Sequence, residues 1–183
     1  MPRLIHLNGP PGIGKSTLAR RYVDERFGVL DLDVDRVRDL LGGSRERFAE
    51  CGELARVLAL GMAGTHLAAG RDVVLPQYLG RLSEVGRFER VARESGAEFR
   101  EVFVMDGRQR SVERFFRRGD DERDPWHEQV RQIVEEQGGA TALAAMYDQL
   151  GAVLAARPGA EVLTSAEGVV EATYRDLVAL LDP

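Results

Sequence analysis

Apolar and polar positions along this chain alternate between two periods. Residues 3–8 read Arg-Leu-Ile-His-Leu-Asn, a short apolar run that predicts a buried strand. Residues 16–27 place Leu18, Ala19 and Tyr22 on one side, which predicts a helix. Residues 28–33 predict a second strand ending in acids, and residues 35–41 a helix stopped by Gly42 and Gly43. Residues 44–69 predict a long helix, with Phe48, Cys51, Leu54, Ala55, Leu58, Met62 and Thr65 at helical spacing. Gly61 and Gly64 inside it mark either a break or a close helix crossing. Residues 72–76 are a continuously apolar third strand. Residues 81–95 predict a helix with Val85, Phe88, Val91 and Ala92 inward, ended by Gly96. Residues 98–105 are a fourth strand. Asp106 and Gln109 predict a capping pair for a helix through Arg118. Residues 119–126 are polar, charged and led by glycine, which predicts a mobile loop. Helices over 127–137 and 141–157, a fifth strand over 160–164 and a last helix over 167–181 complete the pattern.

Strands that alternate with helices predict an α/β fold: a five-stranded parallel sheet covered on both faces, a three-layer α/β/α sandwich. Right-handed crossovers then restrict the topology. The 183 residues suit one domain spanning 1–183. Ligands of such sheets sit beyond the carboxyl ends of the strands. There the sequence carries its strongest chemical signal.

Residues 9–17 read Gly9, Pro10, Pro11, Gly12, Ile13, Gly14, Lys15, Ser16 and Thr17, a full GxxxxGK[ST] phosphate loop. It stands between a strand and a helix, the setting that nucleotide binding requires. The glycines let successive N–H groups turn inward toward phosphate oxygens. Lys15 is placed to reach the β- and γ-phosphates, and Ser16 to offer a hydroxyl to Mg²⁺. The helix that begins here adds the positive end of its dipole. Of the 25 Lys and Arg residues, Lys15 is the one lysine. An ammonium on a thin stem fits beside phosphates where a guanidinium fork would not.

The remaining composition mainly excludes. A net charge of −5 gives no overall basic footprint for nucleic acid. No apolar run approaches a membrane span, and with the predicted first strand beginning at residue 3 no signal peptide is expected. Cys51 is the single cysteine, so it forms no internal disulfide and reads as a buried thiol; a cytoplasmic setting is expected. His6 and His66 read as packing residues, since no His/Cys cluster has metal-ligand spacing.

Two further constellations lie near the predicted ligand end. Asp31, Asp33, Asp35, Arg36 and Arg38 follow the second strand. A kinase needs a carboxylate to orient the acceptor hydroxyl and accept its proton, and Asp35 is the candidate, with Arg38 three residues on as the positioning cation. The plainer alternative is that Asp35 caps a helix and pairs with Arg38. Arg114 and Arg118 share a helix face before Gly119, at the hinge of a helical lid over about 114–130, with Arg117 solvated. Arginines so placed can neutralise the moving γ-phosphoryl group.

Together these motifs resemble the P-loop NTPase-fold kinases that group bacteriophage-type polynucleotide 5′-kinase with zeta-toxin-like, AAA-type small kinases. Gluconate kinase and chloramphenicol phosphotransferase are more distant relatives of the same build. The resemblance runs from Arg3 to about Gln137 and implies ATP in the loop, Mg²⁺, acceptor activation at Asp35 and Arg38, and a lid at Arg114 and Arg118. This chain departs from it at the end of the third strand. Relatives often carry an acid-led Asp-Thr pattern there, and this chain has Pro76, Gln77 and Tyr78. Gln77 then stands where a Mg²⁺-supporting acid would be, and the ion leans on Ser16, water and Asp33.

The resulting expectation is an ATP-dependent phosphotransferase acting on a hydroxyl of a small molecule. A polynucleotide 5′-hydroxyl kinase is the alternative, disfavoured by the acidic balance. A nucleotide-binding regulator with little catalysis is the second alternative, suggested by the missing acid. The acceptor pocket is expected to draw on residues 45–69, 77–81 and 140–154.

Overall fold

The computed structural model describes residues 1–121 and 125–182, with the side chains of all of these except 118–121 and 125–129. The elements run β1 (Arg3–Asn8), α1 (Lys15–Asp24), β2 (Leu30–Asp31), α2 (Val34–Asp39), α3 (Phe48–Ala68), β3 (Val73–Leu75), α4 (Leu82–Glu94) and β4 (Glu98–Met105). Then come α5 (Arg108–Asp121), α6 (Pro125–Glu136), α7 (Ala140–Ala155), β5 (Glu161–Thr164) and α8 (Val170–Leu181). All strand pairs are parallel, in the order β2-β3-β1-β4-β5. The chain leaves β1 toward the β2 edge and leaves β4 toward the β5 edge. A crevice therefore opens above the carboxyl ends of the central strands.

Side-chain alternation along β1 separates two cores. Leu4 joins Val73, Leu75 and Phe103 beneath α3, α4 and α7. Ile5 and Leu7 join Val74, Val102 and Val104 beneath α1 and α8. This is the three-layer sandwich that the strand–helix alternation predicts. Two polar residues, His6 and Asn8, share the face of Leu4 and are fully buried. Cys51 is buried in α3 as expected.

Three expectations are corrected. In α3 the buried stripe is Cys51, Ala55, Ala59, Ala63 and Leu67, while Leu54, Leu58 and Met62 are exposed. The alanines at four-residue spacing let this helix approach its neighbours closely, and that packing overrides bulk hydrophobicity. The helix is unbroken at both glycines, and Gly64 is the crossing point, with Ser95 Oγ donating to Gly64 O at 3.4 Å. Asp106 and Gln109 do not form a reciprocal cap. Asp106 Oδ1 accepts from Gly107 N and Arg110 Nε, and Gln109 donates to Glu113. Finally, α5 continues through Asp121 and α6 begins at Pro125, so most of the expected loop at 119–126 is helical; residues 122–124 lie outside the described residues.

Candidate active site

The phosphate loop joins β1 to α1 under tight steric constraint. A Cβ on Gly9 would stand 2.3 Å from Val104 O, so only glycine lets the loop leave β1 alongside β4. Gly12 has φ +77°, and a Cβ there would meet Phe115 Cα of α5 at 3.0 Å. The loop thus lies directly under α5. Within its curve the Lys15 ammonium donates to Gly9 O at 2.8 Å and Pro10 O at 2.9 Å, holding the charge against the loop. Ser16 and Thr17 are exposed on the first turn of α1, while Ile13 is buried below.

Asn8 anchors this arrangement from the strand side. Its Oδ1 accepts from Gly9 N at 2.9 Å and Leu79 N at 3.1 Å, and its Nδ2 donates to Leu79 O at 3.1 Å. Two residues earlier, His6 Nε2 lies 3.0 Å from Gln77 O, so that nitrogen carries the proton. The other ring nitrogen faces Glu101 Oε1 at 3.5 Å. Glu101 Oε2 accepts from Arg157 Nε at 2.7 Å. His6 and Asn8 therefore tie the β3–α4 loop to the strand that carries the phosphate loop. The sequence contained a signal for both: polar residues two apart on one face of a buried strand. The burial of His6 agrees with the packing role that its place in the strand predicts, and the tie to Gln77 O adds to it.

Across the crevice, Asp33 rather than Asp35 caps α2, with Oδ1 accepting from Asp35 N at 3.0 Å. Asp33 Oδ2 accepts from Ser16 Oγ at 3.2 Å. The capping alternative for Asp35 is thereby removed, and its carboxyl stands on the first turn of α2. The ion pair is present: Arg38 Nη2 donates to Asp35 Oδ1 at 2.6 Å. The guanidinium of Arg38 is buried and lies 3.7 Å over the Phe48 ring. Burial pushes the Asp35 carboxyl above its ordinary 3.8, helped by Asp33 and opposed by Arg38 and Lys15. The same burial lowers Arg38, opposed by Asp35.

Phosphate loop and α2 meet in one cavity of about 260 Å³. Gly12, Lys15, Ser16, Asp35, Arg38, Phe48, Gln77, Tyr78 and Met146 are among the residues that line it. The lining draws on all three segments expected around an acceptor. Gln77 does stand at the end of β3. Its Oε1 is buried and, among the described residues, has no hydrogen-bond partner.

Arg114 lies beside the phosphate loop, 3.4 Å from where a Gly14 Cβ would be. It donates to Ser165 O at 3.2 Å and to Ser165 Oγ at 3.3 Å, which ties it to the β5–α8 connection. Ser165 carried no signal in the sequence. Arg117 is exposed and pairs with Glu167 at 3.0 Å. The side chain of Arg118 lies outside the described residues, as do those of Trp126 and His127.

Ser16 Oγ and Asp33 Oδ2 stand together beside the loop, a hard oxygen pair of the kind that suits Mg²⁺. No group of three or more His, Cys, Asp or Glu residues capable of holding a metal by themselves occurs among the described residues. No helix among them is long and apolar enough to cross a membrane.

Solved structures share this architecture. A protein from Chloroflexus aurantiacus j-10-fl is similar at a TM-score of 0.65 with 18% identity, covering 98% of this chain and 96% of its own. A gluconokinase from Sinorhizobium meliloti 1021 is similar at 0.58 with 16% identity, covering 98% and 95%. A chain of the Pnkp1/Rnl/Hen1 RNA repair complex is similar at 0.64 with 17% identity, covering 85% of this chain and 46% of its own. At these identities the likeness establishes the fold. No curated protein matches the sequence. The phosphate loop, the α2 carboxylates, the β3–α4 loop and the arginines of α5 all fall within residues 4–143, which match a single family description, and by that match the chain belongs to the AAA domain family AAA_33.

Proposed function

We propose that this protein is an ATP-dependent kinase that moves the γ-phosphoryl group to the hydroxyl of a small molecule. The observation that carries the reading is that Lys15, Ser16 and the uncapped carboxyl of Asp35 line one cavity. The nucleotide-binding fold and family supply the donor half. The same cavity, lined also by Phe48, Tyr78 and Met146, supplies room for an acceptor.

In this reading the loop amides and Lys15 grip the triphosphate. Ser16 and Asp33 would hold Mg²⁺, which neutralises charge on the β- and γ-oxygens when bound. Asp35 accepts a hydrogen bond from the acceptor hydroxyl and takes its proton. The acceptor oxygen forms a bond to the γ-phosphorus as the bridging P–O bond breaks, and ADP leaves with that electron pair. Arg38 holds Asp35 in one orientation through the 2.6 Å bond and is itself held by Phe48. Its positive charge keeps the carboxyl ionised while burial keeps it basic, a balance suited to a proton acceptor. Arg114 and Arg118, on a lid over about 114–130, would balance charge on the nucleotide and exclude water.

The test is incubation with γ-labelled ATP, Mg²⁺ and pools of alcohols, with a free-5′-hydroxyl oligonucleotide as a separate arm. The expected result is label in a small alcohol, with Asp35→Asn slowing transfer by about 10²-fold or more and leaving ATP-induced stabilisation intact. At a hundred times the dissociation constant that stabilisation is about 2.7 kcal/mol. Stabilisation without transfer to any acceptor would refute the kinase and leave a nucleotide-binding regulator. Label in the oligonucleotide alone would assign the acceptor to nucleic acid.

A further inference from the structure

On the side away from the sheet, α3 presents an apolar surface to solvent. Its inner stripe of Cys51, Ala55, Ala59, Ala63 and Leu67 packs on the core. Its outer face carries Leu54, Val57, Leu58 and Met62, which are 56%, 58%, 47% and 40% exposed. Gly61, Thr65, Ala68 and Ala69 continue that face and are exposed as well. Residues 57–70 contain no Asp, Glu, Lys or Arg, although 30% of the chain is charged. A surface helix of a globular protein ordinarily sets charged residues on its solvent side, and a helix that is apolar all round is one that something covers. Phe27 extends the patch. It is 94% exposed, the Arg71 guanidinium carbon lies 5.6 Å from its ring centre, and the carbonyl of the next residue, Gly28, lies 2.8 Å from His66 Nε2. Between α3 and the edge strand β2 the surface sinks into a shallow groove of about 660 Å³, with Leu30, Gly61, Thr65 and Ala69 among its lining.

Charge decides which partner fits. Without Lys or Arg over residues 57–70, the face lacks the attraction that holds an anionic lipid surface or a nucleic acid. Across a two-fold axis each residue near the axis meets its own counterpart, so a charge there would face its like. This face has none, while the charges at its two ends are opposite: Glu50 and Glu53 precede the apolar stretch and Arg71 follows it. Two α3 helices related by an axis near residue 61 run antiparallel. In aligned packing, with helix axes about 20° apart, the Glu50 and Glu53 end of each lies beside Arg71 of the other. Glu50 and Glu53 pair with Arg47 and Arg56 on their own helix, but both carboxylates are exposed and can take a second guanidinium. Shape agrees, since Leu58 of one copy enters the low ground at Gly61 and Thr65 of the other. The five large side chains expose roughly 600 Å² per copy, or about 1,200 Å² per pair, the low end of the standard range for a specific interface.

We propose that the protein forms a reversible homodimer through the outer faces of two antiparallel α3 helices. Leu54, Val57, Leu58 and Met62 make its centre, and Arg71 meets Glu50 and Glu53 at both ends. An interface of this size gives an affinity on the order of micromolar. Gly61→Ala keeps the floor of the groove low, as the alanines on the inner face of the helix do. This assignment is independent of the kinase reading.

The experiment is sedimentation equilibrium on the full chain from about 1 µM to about 500 µM, with far-ultraviolet circular dichroism reporting that each variant is folded. The expected result is a mass that rises from one chain to two across that range. Leu58→Glu and Met62→Glu should each weaken association about tenfold or more, since each sets a charge against its own counterpart in an apolar interface. Val170→Glu, at an exposed position of α8 in the opposite layer, should associate like the parent. Arg71→Glu turns an attraction at both ends into a repulsion and should weaken association about fivefold, and adding Glu53→Arg should recover most of that loss. A single-chain mass at every concentration would overturn the proposal, and co-flotation of that monomer with phosphatidylcholine vesicles would assign the face to a bilayer instead. A dimer that Leu58→Glu and Met62→Glu leave intact would place the interface elsewhere on the molecule and overturn it too. A loss in Arg71→Glu that Glu53→Arg does not recover would overturn the antiparallel arrangement.

Discussion

Replacing Asn8 by alanine tests whether one side chain couples the phosphate loop to the β3–α4 loop. Asn8 is fully buried and makes three hydrogen bonds, to Gly9 N, Leu79 N and Leu79 O. Asn8→Ala leaves two backbone donors and one backbone acceptor without their partner at a site that bulk water does not reach. Each costs about 1–3 kcal/mol when unsatisfied in the interior. Alanine also opens a space that one water can enter and partly re-satisfy, so the low end of that range applies. The expected loss is about 3–5 kcal/mol. For a chain of this length, each kcal/mol lowers the melting temperature by about 2–4 °C, so the midpoint should fall by about 6–20 °C. Urea unfolding followed by far-ultraviolet circular dichroism measures the loss. Hydrogen exchange at the Leu79 amide locates it, because that N–H should lose protection ahead of the rest of the sheet. A loss under about 1 kcal/mol, or unchanged protection at Leu79, would refute the idea that Asn8 holds the two loops together.

Gly61→Ala should stabilise the protein by about 0.5–1 kcal/mol in the same urea titration, since the helix is regular there and a Cβ meets nothing within 4 Å. Gly12→Ala should abolish the thermal shift produced by ATP and Mg²⁺, because φ is +77° and the new methyl presses on the Phe115 backbone, displacing the loop or α5. Arg157→Met strips Glu101 of its 2.7 Å partner and should cost about 3 kcal/mol at neutral pH. Burial alone would raise Glu101, but His6 and Arg157 hold its folded-state pKa below the ordinary 4.5, so its contribution is present above that value and lost as pH falls through the lower folded one. The gap between Arg157→Met and the parent should therefore narrow in acid, measured as denaturant midpoints from pH 7 to pH 3. Asp35 has its pKa raised, so the acid limb of kcat/KM should lie above 3.8, and a limb at or below that value would remove Asp35 as the proton acceptor.

Parts of this architecture were legible because local covalent geometry dictates them. β1 and β4 have the boundaries read from the sequence, 3–8 and 98–105, because turn glycines bound them, Gly9 after β1 and Gly96 before β4. Legibility failed where burial is decided by the partner. Leu54, Leu58 and Met62 recur at the right spacing for a core face, yet the close approach of α3 selects Ala55, Ala59 and Ala63 instead. The capping alternative named Asp35, and only backbone placement gives the cap to Asp33 instead. Arg114 was readable as a lid arginine but not as a partner of Ser165, fifty-one residues away.

By itself the sequence determined the phosphate loop, the alternation of strand and helix and the class of ligand, because each is written in residue types at fixed short spacings. Glycines permit the turn, one lysine holds its fixed place in the motif, and apolar period distinguishes strand from helix. The tertiary structure alone decided the strand order, the tie from His6 and Asn8 to the β3–α4 loop, and the cavity that Phe48, Tyr78 and Met146 line together with the phosphate loop. Those contacts join residues that are distant in sequence, and the free energy that selects them comes from burying surfaces against each other once the sheet has formed, which no local pattern encodes.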